Sequence, residues 1–251
     1  NAGAPRSRAT RDVSRCGADT RNNAGGSCCN TGSRKAPCGM TEDEARAWLT
    51  HLDVSRETWI KLNEYVAILL DEMSRQNLIA ESTRDHVWAR HIVDSAQLLP
   101  LGPTPNERQR PWIDLGSGAG LPGIVIALLS RWDVILVESR RKRIDFLESV
   151  IDRLGIDNAS VFGGRAEVLT VSTPAAVISA RAFAPLPKLF ASAYHLSDAK
   201  SFWLLPKGKS WQSDIEDAAP SWHGTFHVEH SVTDPDSAVV VARSVRKKGR
   251  R

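Results

Sequence analysis

A chain of 251 residues with 41% hydrophobic and 25% charged side chains has the composition of a globular protein built on one core or little more, which excludes a collagen, a coiled-coil rod and a wholly disordered polypeptide. Its longest apolar run, Leu121 to Ser130, is broken by Pro122 and Gly123 and stays well short of the roughly 20 residues needed to cross a bilayer. The formal charge of +4 is unevenly spread: seven basic against two acidic residues over 1–40, 20 against 27 over 41–242, and six against none over 243–251. An acidic body between basic ends makes net charge a weak argument for a polyanionic partner.

Residues 1–39 are rich in Gly, Ser, Asn and Arg with almost no large apolar side chain, too little to offset chain entropy, and are read as a disordered leader. All four cysteines, Cys16, Cys28, Cys29 and Cys38, lie in this stretch. They form no C-x-x-C pair, so no metal site is expected there. A body without cysteine suits a reducing compartment and places the protein in the cytoplasm. The leader has neither the apolar segment of a signal peptide nor the amphipathic period of a transit peptide. At Met40 the character changes, and Met40 is read as the natural start, which would leave the stretch before it outside the natural protein.

Thr41-Glu-Asp-Glu44 is a capping box opening a helix with Ala45, Trp48, Leu49 and Leu52 inward. Ser55 caps a second helix with a stripe of Trp59, Leu62, Val66, Leu69 and Met73, and Thr83 is expected to cap a third with Val87, His91 or Ile92, and Ala96 inward. Gly102-Pro-Thr-Pro105 ends this helical N-terminal cap, set at 40–104. From 105 to 245 the periods alternate. Buried strands are predicted at Trp112–Asp114, Asp133–Glu138, Ser160–Phe162, Ala176–Ala180 and Phe202–Leu205, with helices over 122–131, 140–154 and 187–196 between them. Two β segments, Thr225–Val232 and Ala238–Val245, flank Asp234-Pro-Asp-Ser237 as a hairpin-like pair. The fold class is therefore α/β, a mostly parallel sheet ending with one antiparallel strand, and residues 246–251 are read as a basic tail.

Trp112-Ile-Asp-Leu-Gly-Ser-Gly-Ala-Gly-Leu-Pro-Gly123 is a strand running into a glycine loop and then a helix. Gly116, Gly118 and Gly120 let the backbone turn sharply and admit a ligand where a Cβ would intrude. The next strand ends at Glu138, whose carboxylate can accept from the 2′ and 3′ hydroxyls of a ribose. Two cofactors compete for this arrangement. Gly118-x-Gly120-x-x-Gly123 is also a G-x-G-x-x-G, the mark of a dinucleotide-binding dehydrogenase, but Gly118 comes late after the strand. The pattern Asp114-x-Gly-x-Gly-x-Gly is the one seen in S-adenosylmethionine (AdoMet) methyltransferases and is favoured.

Several segments together resemble the RsmG (GidB) methyltransferases, which methylate N7 of a guanine in small-subunit (16S) ribosomal RNA: Met73-Ser-Arg-Gln-Asn-Leu-Ile79, Arg90-His-Ile-Val-Asp-Ser95, the glycine loop, Lys142-Arg143 with Phe146-Leu147, Ser179-Ala-Arg-Ala-Phe-Ala184 and Pro206-Lys-Gly-Lys209. The resemblance spans about residues 41 to 245. It departs at Ala180, where the family pattern often has Ser directly before its Arg. It implies a Rossmann-like AdoMet-dependent sheet in which Asp114, Gly116, Gly118 and Gly120 belong to the cofactor loop. It also implies that Gly116 and Leu121 line the methionine end, Glu138 takes the ribose, Ala166 and Glu167 flank the adenine, and Arg181 faces the cofactor at the reacting centre. The implied partner is small-subunit ribosomal RNA or the small ribosomal subunit, with no membrane and no stable protein partner. Another AdoMet methyltransferase, or a non-catalytic RNA-binding protein, remains an alternative.

Beside the resemblance, position alone singles out the cations. Arg181 ends the fourth strand on the carboxyl edge where parallel sheets bind ligands, and is the candidate catalytic residue. Lys207 and Lys209 follow the fifth strand on that same edge and are candidate RNA contacts. Arg140, Arg141, Lys142 and Arg143 stand at a helix start, the wrong end for the helix dipole, which an RNA backbone would explain. Arg246 to Arg251 is expected to be a flexible electrostatic arm. His91 and Asp94 share a helical face, more simply as core groups than as ligands. His223, His227 and His230 do not all point one way on a strand, so they are not expected to bind metal.

Overall fold

The computed structural model describes residues 39–104 and 110–249. The expected leader up to residue 38 with its four cysteines, Pro105 and the last two arginines lie outside the described residues.

The cap begins as its sequence requires. In α1 (Glu42–Leu49) the Thr41 hydroxyl accepts from the Glu44 amide at 3.3 Å while the Glu44 carboxylate accepts from the Thr41 amide at 2.8 Å. Ser55 caps α2 (Arg56–Glu72) by accepting from the Thr58 amide. Thr83 does not cap the third helix. Its hydroxyl donates to the Ala80 carbonyl inside a tight 3₁₀ turn over Glu81–His86, and the chain then opens into a wide π turn over Trp88–Val93 before the short α3 (Asp94–Ala96). The amides at that point are capped from a distance instead: the Glu42 carboxylate of α1 accepts from Trp88 and Ala89 at 3.1 and 2.9 Å. A carboxylate beside these otherwise unbonded donors replaces the hydroxyl that the sequence suggested.

Seven strands form one sheet: β1 (Trp112–Leu115), β2 (Val134–Glu138), β3 (Ala159–Gly163), β4 (Val177–Ala180), β5 (Phe202–Lys207), β6 (Trp222–His230) and β7 (Ala238–Lys247), in the order β3-β2-β1-β4-β5-β7-β6. β1 to β5 are parallel, and β7 runs antiparallel to both β5 and β6. The antiparallel strand is thus inserted next to the sheet's edge rather than forming the edge itself. β7 continues to Lys247, which pairs with Trp222, so Arg246 and Lys247 are rungs of the sheet and not part of a flexible arm.

The helices α4 (Gly123–Leu129) and α5 (Arg141–Leu154) pack on one face together with the cap, where Leu62, Tyr65, Ile124, Leu147, Trp112, Leu136 and Val177 share one core. On the other face α6 (Leu186–Ala193) and α7 (Trp211–Ala218) cover Ile113, Leu115, Ile178 and Trp203. Period-two alternation along β1 sends Trp112 to the first core and Ile113 to the second, as a sheet covered on both faces demands. The order of strands reverses between β1 and β4, and a crevice opens there at the carboxyl ends, where ligands bind in sheets of this kind.

Candidate active site

The glycine loop leaves β1 at Leu115. Gly116, Gly118 and Gly120 all have positive φ, +66°, +56° and +89°. A Cβ on Gly120 would sit 2.5 Å from Ile124 Cγ1, and one on Gly123 would run into Leu136 and Asp114. Asp114 lies beneath the loop, fully buried. Its carboxylate accepts from the Ser179 hydroxyl at 2.7 Å and the Gly123 amide at 3.2 Å, and Ser179 in turn accepts from the Trp112 indole. Burial pushes the Asp114 carboxyl up to about 6 against these hydrogen bonds. From the cap, the Tyr65 hydroxyl donates to the Ala119 carbonyl at 2.7 Å, clamping the far side of the turn. The start of α4 is therefore capped by the protein's own carboxylate, and Gly123 is packed against β2. A pyrophosphate has no free helix terminus to approach here, which removes the physical basis of the dinucleotide reading.

A cavity of about 560 Å³ opens above the loop, within the range of small-ligand sites. Of the residues that the resemblance assigns to the cofactor, Gly116, Glu138, Ala166 and Glu167 line it together, joined by Arg140, Arg143, Arg165 and Phe183. Asp114, Gly118, Gly120 and Leu121 are not among its lining: the first supports the loop from below, Gly118 and Gly120 shape it, and Leu121 is packed into the cap-side core. Glu138 is nearly buried. One carboxylate oxygen accepts from the Ser139 and Arg140 amides at 2.7 and 2.9 Å and the other from the Gly118 amide at 3.1 Å, with Arg143 at 3.8 Å. The lining fits an adenosine: a fixed carboxylate, Glu138, and the buried Ala166 with the Glu167 turn share one cavity.

A second cavity of about 490 Å³ lies on the other side of the segment after β4, and Ala182, at φ +50°, and Phe183 line both. Arg181 turns into this second cavity and is not among the residues lining the first. Its guanidinium lies 3.0 Å from His91 Nδ1, and donates to the Asp94 carboxylate and the Arg90 carbonyl at 3.3 Å each. His91 Nε2 meets the Thr83 hydroxyl at 2.8 Å, which itself donates to Ala80. Burial first, then the charges of Arg181 and Arg90, lower the imidazole to about 3. A neutral ring accepting from Arg181 and donating to Thr83 satisfies both nitrogens. His91 and Asp94, which looked like core groups, thus set the position of Arg181.

The other cations separate. Lys207 is mostly buried, bonded to the Ala184 carbonyl at 3.2 Å and paired with Asp214 at 3.2 Å, and it lines the second cavity. Lys209 is exposed and paired with Asp236, and lines neither cavity. Of the run at the start of α5, Arg140 and Arg143 face the first cavity, whereas Arg141 pairs along the helix with Asp145 and the Lys142 carbonyl accepts from Gln76. A helical turn cannot aim four successive side chains at one ligand. Among the described residues no three His, Cys, Asp or Glu side chains are grouped to hold a metal, and no helix is long and apolar enough to cross a membrane.

A family model described as GidB, rRNA small subunit methyltransferase G, matches residues 59–237. Relatives named ribosomal RNA small subunit methyltransferase G are 52% identical in Rhizorhabdus wittichii (84% of this chain, 96% of that protein) and 49% identical in Zymomonas mobilis (83% and 96%). The chain belongs to the GidB family. Among solved structures, the GidB chain resembles a mutant of MtNAS in complex with S-adenosylmethionine at TM-score 0.53 and 16% identity, covering 80% of this chain and 83% of that one. A glycopeptide N-methyltransferase, MtfA, complexed with S-adenosylmethionine follows at TM-score 0.50 and 10% identity, covering 61% and 93%. At such identities the likeness is one of fold.

Three contributors to this GidB site are given no role by the sequence pattern. Tyr65 looks like one more apolar position of α2. Asn77, whose carbonyl accepts from Arg143 at 3.3 Å, carries no role that its neighbours in the chain reveal. Asp214 sits on α7, a helix absent from the predicted elements although Trp211, Ile215 and Ala218 recur at helical spacing.

Proposed function

We propose that this chain transfers the methyl group of AdoMet to N7 of a guanine in small-subunit ribosomal RNA. The observation that carries this reading is the pair of cavities sharing Ala182 and Phe183 at the carboxyl edge of β4, one shaped for an adenosine and the other lined by Arg181 and Lys207. AdoMet supplies an electrophilic methyl on a sulfonium. Neutral guanine carries a lone pair and no proton at N7, so the new N–C bond forms as the S–C bond opens and the positive charge passes to the base without a proton transfer. The protein's part is alignment and exclusion of water. Glu138 would hold the ribose, Ala166 and Glu167 would bound the adenine, and the glycine loop would line the methionine end at Gly116. Arg181, held by His91 and Asp94, places a fixed donor on the target side for acceptors of the incoming nucleotide. The neutral His91 and the buried Asp114 are committed to structure, in keeping with a reaction that needs no general base.

Lys209 supplies a phosphate contact in this reading, whereas Arg246 and Lys247, beyond the Arg243 that pairs with Phe202 at the start of β5, lie at the opposite end of the sheet from the cavities. The enzyme meets its RNA, free or within the assembling small subunit, in the cytoplasm. The test is methylation of small subunits from cells lacking the enzyme. Incorporation at one guanine, revealed by chain cleavage after borohydride and aniline, is expected. Absence of incorporation, or a methyl on another base or atom, overturns the proposal.

A further inference from the structure

The second cavity holds three carboxylates, and they are not equivalent. Asp94 is bonded to Arg181, Gln97 and Thr233. Asp234 is bonded to Arg90 at 2.7 Å and to the Asp236 amide. Asp214 has, among the described residues, Lys207 as its one side-chain partner. That leaves on one wall a carboxylate with spare acceptor capacity beside an ammonium with a spare donor. Both are mostly buried, at 17% and 13% side-chain exposure, where polar groups discriminate strongly because an unmatched partner is left without water. Beside them at Gly208 there is open space rather than protein.

The order of these groups matches one base. Guanine presents N1–H and the N2 amine as adjacent donors, then O6 as an acceptor, with N7 on the far side of O6. Adenine presents an acceptor at N1 and a donor at N6, the reverse of what Asp214 and Lys207 require. Lys207 is also bonded to the carbonyl of Ala184, the residue after Phe183 on the wall between the cavities. A guanine with O6 on Lys207 and its N1–H and N2 amine on Asp214 therefore has N7 directed to that wall and the cofactor side. Resting on the proposed methyl transfer, we infer that Lys207 and Asp214 are the specificity-determining pair, reading the Watson–Crick edge of a guanine lifted out of the RNA into this cavity. The ion pair keeps the edge reader satisfied until the base arrives, and the base completes the hydrogen bonds that the pair leaves open.

The test is a cycle between protein and RNA. Small-subunit ribosomal RNA carrying either guanosine or inosine at the methylated position is assembled into subunits; inosine lacks the N2 amine and is otherwise guanine. The wild-type chain is expected to methylate the inosine substrate about tenfold less efficiently in kcat/KM. In Asp214→Asn, slower on both substrates, that preference is expected to shrink to about twofold or less. Wild-type protein that treats the two substrates alike overturns the inference whether or not the variant folds, and so does an Asp214→Asn protein that keeps the full preference. Failure of the wild-type chain to methylate the guanosine substrate is a different result, which overturns the methyl-transfer reading itself and this inference with it.

Discussion

Glu138 is the residue at which cofactor recognition can be tested most sharply, because its hydrogen bonds are already accounted for. Two carboxylate oxygens offer about four lone-pair sites, and three of them are taken by the amides of Ser139, Arg140 and Gly118. One strong bond is left, on the oxygen that faces the glycine loop, so one of the two ribose hydroxyls dominates rather than both sharing equally. A hydrogen bond to a charged acceptor contributes about 1.5–3 kcal/mol, or roughly 10- to 150-fold in Kd. Glu138→Gln keeps the shape and the bonds to Ser139 and Arg140 but turns an amide N–H₂ toward the Gly118 amide. Calorimetric titration with AdoMet should show a loss in that range. Repeating it with the 2′-deoxy and 3′-deoxy forms of S-adenosylhomocysteine separates a direct bond from loop disorder: the penalty should disappear for the analogue lacking the bonded hydroxyl. A folded Glu138→Gln protein with unchanged affinity, or a penalty identical for both deoxy ligands and the parent, refutes the assignment.

Gly120→Ala combines a left-handed backbone with a Cβ 2.5 Å from Ile124, and should lower stability by about 2 kcal/mol or more, read by urea denaturation. Tyr65→Phe leaves the buried Ala119 carbonyl without its donor and should cost about 1–3 kcal/mol while weakening AdoMet binding, since the clamp on the loop is removed; normal affinity would show that the loop stands without it. His91, lowered from 6.5 to about 3, contributes stability that is complete above pH 6.5 and is lost as pH falls, whereas Asp114, raised from 3.8 to about 6, contributes stability that is complete below pH 3.8 and is lost as pH rises through 6. The two slopes oppose each other between about pH 4 and 6, so the stability of His91→Asn relative to wild type should change across that window by about 1.4 kcal/mol per pH unit, favouring the variant at the acid end; parallel pH profiles would contradict this. Neutralising Lys209 should leave AdoMet affinity intact and reduce the salt slope of RNA binding by roughly 0.7–0.9 for the phosphate no longer neutralised, whereas neutralising Arg246 and Lys247 at the far end of the sheet should leave the slope nearly unchanged; an unchanged slope on losing Lys209 would show that it does not touch the RNA.

What is legible in the sequence is whatever depends on near neighbours. The capping box at Thr41, the five parallel strands, the turn glycines and the placement of Glu138 at the end of β2 all follow from short spacings, and the structure has them. β6 starts at Trp222, three residues before its predicted start, because its edge position leaves His223 and Thr225 exposed and hides the alternation that marks a half-buried strand. The direction of Arg181 is not legible at all. It is decided by His91 and Asp94, about 90 positions earlier, and no local pattern encodes that meeting. The same holds for Lys207, which looks like a solvated loop lysine until α7 brings Asp214 against it.

These long-range pairings give the helical cap a role beyond covering the sheet. Tyr65 of α2 holds the glycine loop at Ala119, Asn77 accepts from Arg143 beside Glu138, and His91 with Asp94 holds Arg181. Each bond reaches the glycine loop or one of the two cavities, and each comes from a different part of residues 56–96. A catalytic sheet of this topology can bind its cofactor with loops of its own at the carboxyl edge, but here the loop's far side and Arg181 are both fixed from outside the sheet. The wide π turn over Trp88–Val93 suits that task, since an added residue per turn re-aims side chains that a regular helix would carry elsewhere. It sends His91 to Arg181 while Trp88 remains in the core against Trp59. The carboxylate of Glu42 stabilises that turn at its amides, so a residue near the beginning of the cap is connected, through the π turn and His91, to the arginine that lines the second cavity.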